Sequence, residues 1–85
     1  MDTIKFANGA IYDCSFLATV PGGRAFIALS GVTFTEAAQI FSNEDMTAEM
    51  EWGGFRLVGY TALESLCIQP YGIQATLTGG YDERI

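Results

Sequence analysis

The chain contains no histidine, and that absence removes more chemistry than any other feature of its composition. Without an imidazole neither a serine–histidine nor a cysteine–histidine nucleophile can be assembled, and the commonest zinc ligand is missing. Only two cysteines occur, Cys14 and Cys67, too few for an all-thiolate zinc site. No glycine pair is followed by the Lys and Ser/Thr of a phosphate-binding loop. Neither catalysis nor a cofactor is expected. Positive charge is also scarce: Lys5, Arg24, Arg56 and Arg84 stand against ten acidic residues, a net charge of −6. A chain of that balance repels phosphate backbones, which disfavours nucleic acid as a partner. No apolar run approaches the ~18 residues needed to span a bilayer. The opening Met1-Asp2-Thr3-Ile4-Lys5 lacks the layout of a signal peptide. These features predict a soluble, cytoplasmic protein with no membrane partner. In that compartment Cys14 and Cys67, both inside apolar strand patterns, read as buried reduced thiols, with a disulfide open only if their strands are neighbours.

What the sequence does have is apolar surface. Hydrophobic residues make up 49% of the 85 residues and aromatics 13%, far from the composition of a disordered chain. Residues 1–85 form a single domain, because a second core would leave neither half enough apolar area to offset its conformational entropy. That many apolar side chains exceed what one small protomer can hide. The prediction is a homo-oligomer, a symmetric dimer or small ring.

The patterning predicts a mainly β (α+β) fold of about six antiparallel strands in a meander, a twisted sheet or small barrel, with one short helix between strands 3 and 4. Thr3 to Phe6 alternates and meets Asn8-Gly9, the dipeptide of a type I′ turn. The second strand then carries Tyr12, Cys14, Phe16, Ala18 and Val20 on its core face, with Ile11, Asp13, Ser15, Leu17 and Thr19 opposite. Pro21-Gly22-Gly23-Arg24 turns into an almost wholly apolar third strand, Ala25 to about Ser30, which predicts cover on both faces from the helix or a second subunit. Thr33 and Glu36 form a capping box opening a helix to about Ser42, with Phe34, Ala37, Ala38 and Phe41 as its buried stripe. Ser42-Asn43-Glu44-Asp45 reads as an acidic loop. Ala48, Met50 and Trp52 face inward from a strand over Thr47 to Trp52, with Thr47, Glu49 and Glu51 outward. After Gly53-Gly54 a long strand runs from Phe55 to about Ile68, bent at Gly59. Pro70-Tyr71-Gly72 turns into a last strand carrying Ile73, Ala75 and Leu77, and Gly79-Gly80 releases a tail, Tyr81 to Ile85.

Few residues remain for recognition. Glu49 with Glu51, or Asp82 with Glu83, have the chemistry of an acid/base pair, but the first pair sits on the wet side of a strand. Arg24 beside Gly22 and Gly23, and Arg56 just after Gly53-Gly54, read as anion clamps, since a guanidinium fork and bare backbone amides can grip one phosphate together. Arg84 adds a cation in the tail. Trp52, Tyr60, Tyr71 and Tyr81 offer flat rings on which a base could stack. On a two-fold axis Arg24 or Arg56 from each copy would surround a two-phosphate ligand, so a phosphorylated small molecule such as a nucleotide is the expected partner beside a second copy.

Three stretches carry a family resemblance: Ile4-Lys5-Phe6-Ala7-Asn8-Gly9, the segment Phe34 to Thr47 with Ile40-Phe41-Ser42-Asn43, and Gly59-Tyr60-Thr61. In style the chain resembles small β-rich proteins encoded by bacteriophages. The resemblance implies either a minor virion or tail component, or an accessory protein that counters host immunity inside the bacterial cell. Among the latter are oligomeric sponges that sequester host signalling nucleotides without catalysis, and such a sponge is the function expected here, with the virion or tail component as the alternative. A third role comes from the acidic surface, where Glu44, Asp45, Glu49 and Glu51 would mimic the phosphates of nucleic acid and block a host defence protein.

Overall fold

A computed structural model describes residues 2–85. It contains eight strands, β1 (Asp2–Lys5), β2 (Ile11–Val20), β3 (Arg24–Leu29), β4 (Glu49–Trp52), β5 (Phe55–Val58), β6 (Ala62–Gln69), β7 (Gly72–Thr78) and β8 (Tyr81–Arg84). Two short helices, α1 (Phe34–Phe41) and α2 (Glu44–Thr47), lie between β3 and β4. All strands pair antiparallel in one open sheet of order β6-β7-β3-β2-β1-β4-β5-β8. The mainly β class is as the patterning predicts, and the strand count is eight rather than six. The order is not a meander: β7 inserts between β6 and β3, so the chain returns to its third strand after leaving for the far edge.

Seven gaps of ~4.8 Å would make a flat sheet about 34 Å wide, yet the longest extent of the molecule is 28 Å. The sheet must curl. The same follows from connectivity, because β7 and β8 stand second and last in the order but are joined only by Gly79-Gly80. One half, β6-β7-β3-β2, folds over the other, β1-β4-β5-β8, and their inner faces enclose the core. Ile27, Leu29, Ile73, Ala75 and Leu77 come from the first half, Ile4, Met50 and Leu57 from the second, with Phe6 and Phe41 packed edge to face, ring centroids 6.0 Å apart. Gly80 marks where the halves touch: a Cβ there would lie 2.4 Å from the Val58 carbonyl oxygen and 2.7 Å from the Tyr60 ring.

Helix α1 forms as its capping box dictates, the Glu36 amide donating to Thr33 Oγ1 at 3.1 Å and Thr33 N–H to Glu36 Oε1 at 3.4 Å. Its buried side is Ala37, Ile40 and Phe41, whereas Phe34 is exposed and Ala38 only half-buried. The stripe is rotated away from Phe34 and Ala38 towards Ile40. The expected acidic loop is instead the single turn α2, capped by Asn43 Oδ1 accepting from the Asp45 amide. That turn takes Thr47 out of the strand and buries it, and leaves Ala48 exposed.

Four other departures share a cause in backbone geometry. At Asn8-Gly9 only Gly9 has a positive φ, +89°, and its amide donates to the Phe6 carbonyl, so the loop is not type I′, which needs two such residues. In β2 the register with β3 slips between Cys14 and Phe16. Ser15 is the extra residue of this bulge, held by its hydroxyl donating to the Tyr71 carbonyl at 2.6 Å. Beyond it the faces exchange: Leu17 and Thr19 turn inward while Phe16, Ala18 and Val20 turn out, the reverse of the alternation. The long strand after Gly54 is two strands at opposite ends of the sheet, since Gly59 at φ +81° and Thr61 form a corner. Finally, Tyr81 to Arg84 is not a released tail but pairs with β5 throughout. The apolar β3 is covered on its inner face by the core, but neither α1 nor α2 covers the outer one: Phe26 is half-buried there, and Ala28 is shut off only by Phe16 and Gln74 beside it in its own sheet. Of the two thiols Cys14 is buried and free, and burial pushes its pKa up. Cys67 is also free but exposed on β6, where an edge strand leaves its outer side chains bare.

Candidate functional site

The two outer faces of the curled sheet differ in kind. On the β6-β7-β3-β2 half, cross-strand register lines up Cys67, Gln74, Ala28 and Phe16 in one row and Ser65, Thr76, Phe26 and Ala18 in the next. Neither row contains a charge, although the chain has four basic and ten acidic residues. Phe16 is 43% exposed, and the Tyr71 ring lies against it with centroids 5.9 Å apart while its hydroxyl donates to Gln74 Oε1 at 2.5 Å. The face is thus neutral and aromatic, built of small residues around Phe16, Phe26 and Tyr71. Charge returns only in the rim row, where Arg24 reaches Glu64 at 3.3 Å.

On the other half, register aligns Lys5, Glu51, Arg56 and Glu83 across β1, β4, β5 and β8, a row of alternating sign. Arg56 Nε approaches Glu49 Oε1 at 2.9 Å, and its Nη1 approaches Glu83 at 3.8 Å. The arginine therefore sits among three carboxylates instead of in an open loop.

A third feature lies where the halves meet. Thr19, Pro21, Gly22, Gly23, Tyr81 and Asp82 line a shallow cleft of about 370 Å³, with Tyr60 at its base. Tyr60 is buried, and its hydroxyl donates to Asp82 Oδ1 at 2.7 Å; Asp82 Oδ2 accepts from the Thr19 hydroxyl. Burial first, and then the carboxylate as hydrogen-bond acceptor and as nearby charge, hold the Tyr60 phenol well above its ordinary ionisation range. One carboxylate thereby ties β2, the β5–β6 corner and β8 together. The sequence offers Asp82 only as a partner for Glu83 and puts Thr19 on the outer side of its strand, because β8 has no apolar alternation and the Ser15 bulge is unmarked.

Of the residues expected to bind a phosphorylated ligand, Gly22, Gly23, Tyr60 and Tyr81 come together in this cleft. The arginines do not join them. Arg24 points to the outer rim, Arg56 belongs to the charged row, and Arg84 lies 5.8 Å over the Phe55 ring. Trp52 packs partly against the core, its Nε1 buried without a hydrogen-bond partner, and lines a separate hollow with Lys5, Ile11 and Ile85. Among the described residues no cluster of three thiols or carboxylates is arranged to hold a metal ion, and no helix is long and apolar enough to cross a membrane. No protein-family model matches the chain, and no curated protein or solved structure matches it either.

Proposed function

We propose that the protein is a non-enzymatic building block that assembles through the neutral outer face of its β6-β7-β3-β2 half. The observation that carries this reading is the two-row, four-strand surface without a charge, in a chain where charges crowd the opposite face. Desolvating an isolated charge costs several kcal/mol, so a surface that excludes charge while presenting Phe16, Phe26 and Tyr71 is suited to burial against another sheet. For a small phage-type protein, the corresponding role is a minor component of the particle or of its assembly.

The test is analytical ultracentrifugation over a wide concentration range, comparing the native chain with Ala18→Glu, a charge placed beside Phe26 at the β2 end of the second row. The native protein should associate. The variant should keep its circular dichroism and weaken association about a hundredfold, the equivalent of about 3 kcal/mol. A native chain that stays monomeric at the highest attainable concentration, or a variant that associates equally well, overturns the reading.

A second reading, the nucleotide sponge, is favoured by one observation: Gly22, Gly23, Tyr60 and Tyr81, four of the residues expected in such a site, meet in one cleft. It requires a second copy to bring in cations, since no Lys or Arg lines the cleft. A panel of cyclic and ADP-ribose-derived nucleotides separates the two. A sponge shows a strong rise in melting temperature with one of them, and a building block shows none.

A further inference from the structure

The sheet has two free edges, and they are built oppositely. β8 is four residues long and three of them, Asp82, Glu83 and Arg84, are charged. Short, charged edge strands resist pairing with another chain. β6 is eight residues long and has one charge, Glu64, which falls where the register with β7 slips and is engaged by Arg24. From Ser65 to Gln69 five neutral residues, Ser-Leu-Cys-Ile-Gln, run along the open edge, and Pro70, with no N–H to donate, closes it. Within this stretch Ile68 is 72% exposed, the highest value of any large apolar side chain among the described residues.

We infer that β6 is the site at which a second copy of the chain adds by antiparallel β6–β6 pairing about a two-fold axis, with Cys67 opposite its own counterpart. The register follows from charge and shape. With Cys67 at the axis, Leu66 of each copy faces Ile68 of the other on the inner side, which covers the exposed isoleucine, and Ser65 faces Gln69 on the outer side. Glu64 then lies opposite Pro70, beyond the end of the ladder. Centring on Leu66 instead would set each Glu64 carboxylate directly beside an Ile68.

The symmetry of the edge itself identifies the occupant as a second copy: Ser65 to Gln69 pairs with its own sequence about Cys67, apolar Leu66 against apolar Ile68 and polar Ser65 against polar Gln69, with no charge inside the ladder. The inference goes beyond the face reading and does not depend on it, because edge pairing and face packing use different groups.

Cys67 supplies the assay, since Cys14 is buried. Diamide oxidation of the native protein, followed on non-reducing gels, should give a disulfide-linked dimer at least tenfold faster than a Cys67→Ser, Glu83→Cys variant, whose thiol sits on the charged edge. Ile68→Lys, at a site exposed enough to leave the fold intact by circular dichroism, should remove that advantage. Equal rates for the two thiols, or an Ile68→Lys protein that couples as fast as the native one, overturn the inference. Ala18→Glu separates the two readings. If it abolishes Cys67 coupling, the copies meet through the face, so the edge proposal fails and the face reading stands. If it changes neither coupling nor assembly while Ile68→Lys dissolves both, the face reading fails and the edge proposal stands.

Discussion

The two halves of the sheet solve the same problem differently. Each must bury one side and present the other, yet β1-β4-β5-β8 presents the row Lys5, Glu51, Arg56 and Glu83, whereas β6-β7-β3-β2 presents Phe16, Gln74 and Cys67, closed over Ala28, at the equivalent place. Alternating charge on an exposed row keeps it wet and deters sheet-to-sheet contact. A neutral aromatic row has no such protection. The difference teaches that it is charge, not apolar surface, that is sorted between the halves: exposed apolar side chains occur on both, Phe16, Val20, Ile68 and Tyr71 on one and Phe55 and Tyr81 on the other, whereas the row of alternating charge belongs to the second alone.

That contrast can be broken most completely at the junction on which both halves depend. Gly80→Ala would drive a methyl group into the Val58 carbonyl and the Tyr60 ring. A loss of about 3 kcal/mol or more is expected in urea denaturation, with both halves melting together, since they share one core. Retention of native stability would mean that the halves are not held in the close apposition described above.

A smaller effect is expected at the tie between them. Tyr60→Phe removes one hydrogen bond to a carboxylate, worth about 2 kcal/mol when buried. It also alters the response to alkali. The folded phenol resists ionisation, whereas the unfolded one ionises near its ordinary value of 10.0. Its contribution to stability is therefore fully present below that pH and declines as pH rises towards the folded value. The Cys14 thiol, raised from 9.0 by burial, acts in the same direction from a slightly lower pH. Melting temperatures measured from pH 8 to pH 11 (on the order of the unfolded values) should fall for both proteins, and less steeply for Tyr60→Phe. Parallel curves would show that this phenol does not contribute to the alkaline loss.

The smallest effect sharpens the contrast. Arg56→Gln removes the centre of the charged row, but half-exposed ion pairs of this type contribute less than about 1 kcal/mol and are screened by salt. Denaturation should differ slightly at low ionic strength and not at all in concentrated salt. A loss that persists in salt would mean that the charged half carries as much structure in its outer face as the neutral half.

Much of the fold is legible in the residues, and the illegible part has a physical pattern. The capping box of Thr33 and Glu36, the turns at Gly22-Gly23 and Gly53-Gly54, and the apolar β3 are local or repetitive signals, and each is found where the sequence places it. What escapes is non-local. The bulge at Ser15 reverses the inward face of β2, and nothing in an unbroken alternation from Ile11 to Val20 marks the residue at which the phase slips. β8 escapes because an edge strand of Tyr-Asp-Glu-Arg has no apolar period to read. The neutral face was invisible for the first reason, since with the alternation unbroken Phe16 and Val20 belong to the core. Thr19 escapes for the first reason too, because the alternation puts it outside, and the role of Asp82 escapes for the second.

The Thr19–Asp82 hydrogen bond spans 63 positions along the chain. Contacts so distant close late, because the loop entropy must be overcome before they can form. During synthesis the phenol of Tyr60 and the hydroxyl of Thr19 await an acceptor that emerges only with the eighth strand, so the cleft between the halves is among the last features a growing polypeptide can complete.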